Sequence, residues 1–392
     1  MIVEQRKQKR RPGWHAWFPL LGLLLFGGLL LTADRQRILE ILGQAAPMPL
    51  VAGVLLYVLV YVLKTVRWLV CLSLQGIPAP YGGSLAAYTA GAAVGSVTPG
   101  RIGELIRWSF LRARGAGAAR AAAGVLLDRI LDVAITLLAA AVLVAGAFGL
   151  GLGAGNESEW VPAGWSLGGL PGALLAILAA LGVVGAAFLL LWLGQRRLAR
   201  RPGDCGGEPV ERVGSGQARR ASGGLGRMGR LLPAWVRERL PAEAWAEFTD
   251  GLLVLRGRWL WFTIALSLLI WGLNLAVSYS IFRAVGPQPP VAQFALAYGL
   301  AGVASYLPIS ISGLGSRELI FIGLMAPLGV PREVILSYGI LEVAFVTLLT
   351  GLLAAAFALL AGGVNRTAQL VGDLLRSRWS RSRPIRDGRE RD

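Results

Sequence analysis

The chain has 392 residues, of which 55% are hydrophobic and 16% charged, with 39 basic against 22 acidic side chains and a formal net charge of +17. So apolar a composition, with uncharged runs of about twenty residues recurring along it, exceeds what a soluble core buries and points to an integral membrane protein. The basic excess reads as cytoplasmic loops and contact with anionic lipid, and nucleic acid is not an expected partner.

The scarce chemistry-bearing residues exclude more. The one histidine, His15, leaves a histidine triad or histidine metal site without its parts, and Cys71 and Cys205 show no metal spacing. Lys7, Lys9 and Lys64, the only lysines, sit in no glycine-rich phosphate loop. No metal, cofactor or enzymatic activity of its own is expected.

In chain order, residues 1–15 form a basic tail, and 16–49 hold a first crossing over 16–31 and an outer loop. The basic start resembles a signal peptide but lacks a small-residue cleavage site, so a retained crossing is expected. Residues 50–150 form a first unit: crossings at 50–74 and 121–150 flank an apolar stretch at 84–97 that Pro, Gly and Ser interrupt. An outer loop and a connecting crossing at 167–193 fill 151–194. Residues 195–258 begin as a Gly/Arg-rich linker and continue as an amphipathic helix over 231–255, broken at Pro241 and laid on the inner leaflet. The second unit, 259–362, has crossings at 259–282 and 334–361 around a second interrupted stretch at 291–311, and a basic tail occupies 363–392.

Arginine sets the topology. The N-terminal tail, the segment around Arg101, Arg107, Arg112, Arg114 and Arg120, the central segment with thirteen arginines from Gly194 to Arg258, and the last tail with eight all belong inside. The loop bearing Glu157 and Glu159 has no basic residue and belongs outside. Both termini are therefore cytoplasmic, which six full crossings satisfy only if the interrupted stretches enter and leave on one side. These are expected as re-entrant hairpins near 84–110 and 291–329. Trp160, Trp165, Trp259 and Trp261 suit the interfacial belt, and Lys64 and Arg67, near an inner helix end, are expected to snorkel to lipid phosphates.

The two units match one another. Tyr88 to Ser96, Thr98-Pro-Gly-Arg-Ile-Gly-Glu104 and Ile130-Leu-Asp-Val-Ala134 recur as Tyr298 to Ser305, Ser312-Gly-Leu-Gly-Ser-Arg-Glu318 and Ile340-Leu-Glu-Val-Ala344. The arginine-derived topology runs the two copies in opposite senses. The expected fold is an all-α integral membrane protein of two inverted-topology repeats, each with a re-entrant hairpin, a build that places a transport site near the midplane.

Irregular backbone at membrane depth needs protein or a water-filled cavity around it. The turns at Thr98, Pro99, Gly100 and Gly103, and at Ser310, Ser312, Gly313 and Gly315, therefore predict such a cavity, with helix-start amides able to face a phosphate. Charges in the apolar layer are costly, which makes Arg101, Glu104, Asp128, Asp132, Arg317, Glu318 and Glu342 the candidate substrate-binding set. Arg129 is expected in the same layer. Asp128 and Asp132, four apart, share a helix face, and Asp132 and Glu342 hold matching repeat positions. Two readings stand together: Arg101 with Glu104, and Arg317 with Glu318 or Glu342, fix the hairpins, or arginine holds a headgroup phosphate while carboxylates hold an amine.

The two turns and the Gly329-Val-Pro segment resemble the membrane region of lysylphosphatidylglycerol synthases over about residues 50–363. The resemblance implies a flippase-like domain that moves a phospholipid, glycolipid or isoprenoid-type lipid between leaflets. By motif it implies Pro99, Gly100, Gly103, Glu104, Gly313, Gly315 and Glu318 as the re-entrant core. The aminoacyltransferase domain of the bifunctional members has no counterpart here, so synthase activity is not implied. A membrane-embedded transferase with Asp128, Asp132 or Glu342 as base, and a non-catalytic subunit serving lipid-biosynthesis enzymes, are the alternatives. The composition suits a bacterial inner membrane.

Overall fold

The computed structural model describes residues 18–98, 102–149, 242–306, 310 and 313–381. Every element among them is helical. In order they are α1 (Phe18–Leu31), α2 (Arg35–Gly43), α3 (Pro47–Leu74), α4 (Tyr81–Ser96), a 3-10 turn (Ile102–Ile106), α5 (Arg107–Ala113), α6 (Ala118–Gly149), α7 (Ala242–Leu252), α8 (Arg258–Val285), α9 (Val291–Ser305), α10 (Ser316–Met325), a 3-10 turn (Ala326–Leu328) and α11 (Arg332–Arg381). Segments Pro47–Leu74, Arg258–Val285 and Arg332–Leu360 are each long and apolar enough to cross a membrane. The protein is a membrane-spanning helical protein. The expected crossings at 16–31, 50–74, 121–150, 259–282 and 334–361 fall on α1, α3, α6, α8 and α11, while the one at 167–193 lies outside the described residues.

Proline and glycine set the boundaries. Pro47 opens α3, and Pro80 and Pro290 stand at the N-caps of α4 and α9, where a missing N–H costs nothing. Gly76, at a φ of 71°, follows the end of α3. Asp34 caps α2 by accepting from the Gln36 and Arg37 amides at 3.0 and 3.3 Å.

The interrupted stretches are helical hairpins. After α4 the chain reverses, the Gly103 N–H donates to Thr98 Oγ1 at 2.9 Å, and the following 3-10 turn packs back along α4. After α9 it reverses again and α10 returns against α9. The two units interlock: α3 lies along α8, α4 of the first unit packs on α11 of the second, and α9 of the second packs on α6 of the first. Apolar side chains from both units, Trp68, Tyr88, Phe282, Phe294, Phe321 and Tyr338 among them, form one continuous core.

Within the expected amphipathic segment, α7 packs on α6, with Gln75 Nε2 donating to the Gly251 carbonyl at 2.8 Å and Arg120 3.2 Å from Glu247. Small residues permit this approach: a Cβ at Gly251 would sit 2.8 Å from that of Ala123. Residues 231–241 lie outside the described set.

Helix α1 rests against the second hairpin at a glycine pair. A Cβ at Gly22 would meet Ser310 Cβ at 2.5 Å, and one at Gly315, whose φ is +83°, would collide with the Gly22 carbonyl. Gly315→Ala is therefore expected to cost about 1–3 kcal/mol through overpacking and a left-handed backbone. Gly323→Ala, with nothing within 4 Å of the added carbon, serves as the neutral control. Melting temperatures in detergent check this, and equal melting of the two variants would refute the close approach.

Candidate functional site

The first charged cluster is built on Asp128, which α6 presents to α3 and α5. Asp128 and Arg67 are both fully buried, and Arg107 is 1% exposed. Arg67 Nη2 donates to Asp128 Oδ1 at 2.7 Å and to Asp132 Oδ1 at 2.6 Å, and its Nη1 donates to Ser267 Oγ at 2.9 Å. The other Asp128 oxygen, Oδ2, accepts from Arg107 Nη1 at 2.7 Å and from the Tyr88 hydroxyl at 2.9 Å. The Arg107 guanidinium also lies over the rings of Tyr88 and Trp68, at 4.2 and 5.2 Å from their centroids. Glu104, on the hairpin, pairs with Arg107 at 3.4 Å and with Arg129.

The second cluster is smaller. Arg317 Nη2 donates to Glu318 Oε1 at 2.7 Å and to the Gly339 carbonyl at 3.0 Å, and Arg317 Nη1 stands 2.9 Å from Glu342 Oε2. Glu318 Oε2 accepts from the Gly315 amide at 2.6 Å, which closes the start of α10. Ser278 bridges this cluster to the core, 2.6 Å from the Tyr338 hydroxyl and 3.5 Å from Glu342 Oε1.

Around the two hairpin glutamates, glycine and arginine trade places. Glu104 matches Glu318, Gly103 matches Arg317, and Arg129 matches Gly339 in the repeat motifs. In the first unit the arginine reaches its glutamate from the following long helix; in the second it comes from the hairpin itself. A Cβ at Gly339 would lie 2.5 Å from Glu318 Oε1, so at these two matched positions Glu318 has room for the arginine of the hairpin only with a glycine on the long helix.

Two cavities lie between the clusters, of about 130 and 110 Å³. The first opens between α6, α8 and α9, the second between α3, α4 and α11, and Lys64, Asn274, Tyr298, Arg317 and Glu342 border both. Their walls correspond at one constant sequence offset: Trp271, Tyr298, Gly302 and Asp132 of the first stand where Tyr61, Tyr88, Ala92 and Glu342 stand in the second. Lys64 and Asn274 are related by the same offset. Lys64 Nζ is 3.8 Å from Asp132 Oδ2, and Trp271 Nε1 has no hydrogen-bond partner.

Of the expected site residues, Asp132, Arg317 and Glu342 border the first cavity and Glu104, Arg317 and Glu342 the second. Asp128 and Glu318 are enclosed within their ion pairs. Thr98 and Gly103 form the first turn, while Ser310, fully buried, and Gly313 and Gly315 form the second. Arg101, Pro99, Gly100 and Ser312 lie outside the described residues.

Arg67 departs from expectation: it does not snorkel to lipid but turns inward to two carboxylates and is wholly buried. Lys64 likewise faces a cavity. Arg107, counted as a loop charge in the sequence, is a core residue. A stripe of Tyr57, Tyr61, Lys64 and Trp68 at helical spacing is the signal that would have turned this face of α3 inward.

The sequence matches the family described as the lysylphosphatidylglycerol synthase TM region over residues 20–355, which takes in both clusters and both cavities. The chain belongs to this family. A UPF0104 membrane protein from Methanothermobacter thermautotrophicus is 32% identical over 77 residues, a stretch that spans 20% of this chain and 22% of that relative. The relative and the family description both place this lysylphosphatidylglycerol synthase TM-region protein among membrane proteins.

Removing one partner of a fully buried ion pair leaves an uncompensated charge. Asp128→Asn, which takes the shared carboxylate from Arg67 and Arg107 and leaves them only Asp132 and Glu104, is expected to cost about 3–5 kcal/mol. Lys64→Gln, at the edge of the same cluster, should cost far less. Thermal melting in detergent separates them, and an Asp128→Asn protein as stable as the Lys64→Gln protein would contradict the central place of Asp128.

Proposed function

We propose that this protein moves an amphipathic lipid between the leaflets of a membrane, passing its headgroup through the two cavities while its tails stay in hydrocarbon. One observation carries the reading: two polar cavities with corresponding walls meet at a shared border of Lys64, Asn274, Tyr298, Arg317 and Glu342. Inverted repeats would supply such a pair, one cavity for each leaflet, with the hairpins re-entrant and the border near the midplane. Six crossings, cytoplasmic termini and a bacterial inner membrane complete the proposal. The protein's own part is transport and not covalent chemistry, with no cofactor, and lipid-biosynthesis enzymes are the partners that would supply or consume its substrate.

Under this reading the charged set has two roles. Glu104 and Glu318 latch the hairpins through their arginines, while Lys64, Asp132, Arg317 and Glu342 face the space a headgroup would enter. Glu342→Gln leaves Arg317 paired to Glu318, and Lys64→Gln leaves Asp132 paired to Arg67, so both variants are expected to fold.

Leaflet exchange of fluorescent phospholipids and glycolipids in proteoliposomes tests the proposal. Loss of one charge-assisted contact, worth about 1.5–3 kcal/mol, would slow the lipid that wild type moves fastest by about tenfold or more in either variant. Mass spectrometry of the recovered lipid covers the other class: a covalently changed product would replace transport with a transferase. Unchanged exchange in both variants would remove the cavities from the pathway.

A further inference from the structure

The charges that face the cavities are balanced. The first cavity is bordered by Lys64 and Arg317 against Asp132 and Glu342, the second by Lys64 and Arg317 against Glu104 and Glu342. These side chains are 7–15% exposed, enough to be reached from the cavities and too little to be screened by bulk water. The deeper charges balance too: among the described residues, Arg67, Arg107 and Arg129 join Lys64 and Arg317 as cations, and Asp128 and Glu318 join Glu104, Asp132 and Glu342 as carboxylates. Five therefore stand against five.

A charge with no partner at this depth is costly. A headgroup with a lone negative or positive charge would bring that imbalance into a site whose described charges are balanced. A headgroup with one of each would not, because it can exchange partners with an existing pair. The Lys64 to Asp132 contact, at 3.8 Å, is the looser of the cavity-facing pairs, and Asp132 keeps Arg67 at 2.6 Å when Lys64 turns away. A phosphate can then take Lys64 or Arg317 while an ammonium takes Glu342 or Asp132.

We propose that the site selects a zwitterionic headgroup, one phosphate with one ammonium, over anionic, cationic and uncharged ones, and that its preference follows the net charge of the cavity walls. This rests on the transport reading for its substrate but not for its test, since selectivity is read in binding as well as in movement.

The experiment compares acyl-labelled phosphatidylethanolamine, phosphatidylglycerol, an ethylphosphocholine and a monoglucosyl diacylglycerol. Exchange is measured in proteoliposomes, and retention on the detergent-solubilised protein by native mass spectrometry. Wild type is expected to prefer phosphatidylethanolamine by about tenfold over each of the others. Glu342→Gln, which makes the walls net positive, should shift the ratio toward phosphatidylglycerol, and Lys64→Gln should shift it toward the ethylphosphocholine, each by about tenfold. Equal or faster handling of phosphatidylglycerol or the glycolipid by wild type would overturn the proposal, as would ratios that ignore both substitutions. Selective retention of phosphatidylethanolamine without exchange of any lipid would instead sink transport and leave the charge rule standing.

Discussion

An ionised carboxylate in an apolar surrounding survives only if donors enclose it, and Asp128 is where this chain meets that demand most fully. Both of its oxygens are taken, by Arg67 from α3, Arg107 from α5 and Tyr88 from α4. Each donor belongs to a different element, so the electrostatic requirement of one side chain fixes three helices around a fourth. The hydrophobic effect offers no comparable force between helices that already face lipid. Packing of Tyr88 and Trp68 on the Arg107 guanidinium adds directionality to the same point.

From that anchor the remaining polar groups fall into an order. The hairpins hang on it through Glu104 in the first unit and on the smaller Arg317 cluster in the second. The exchange of glycine and arginine about the two glutamates shows why neither position is independent. Two glycines would take from Glu318 the arginine that pairs it, and two arginines would put a second guanidinium where Glu318 and Gly339 already touch. The exchange also decides which unit offers an arginine to the cavities: Arg317, carried on a hairpin, reaches both, while Arg129 borders neither.

Much of the helical layout was legible because run length and proline position are local signals. The hairpin glutamates and the Asp132 and Glu342 match were legible because a repeated motif is visible without a structure. Arg67 was not, for a physical reason: a basic residue within a turn or two of an apolar helix end looks the same whether it reaches out to lipid phosphate or in to a carboxylate that a distant helix supplies. Arg107 was hidden by company, as one of several arginines in a short segment of which only some remain in water. For α7 the apolar face was evident, but the small residue that receives Gly251, Ala123 on α6, lies far away in sequence.

The contact between Gly22 and Gly315 bears on how the protein is made. Helix α1 is synthesised nearly three hundred residues before its seat on the second hairpin. Until that seat emerges, the glycine face of α1 lacks this partner. Its sequence suits the wait: from Phe18 to Leu31 it carries no charged or hydrogen-bonding side chain that solitary exposure to hydrocarbon would penalise. The closing step of assembly is then the docking of an early helix onto a late turn, at a surface too close-fitting to form by halves.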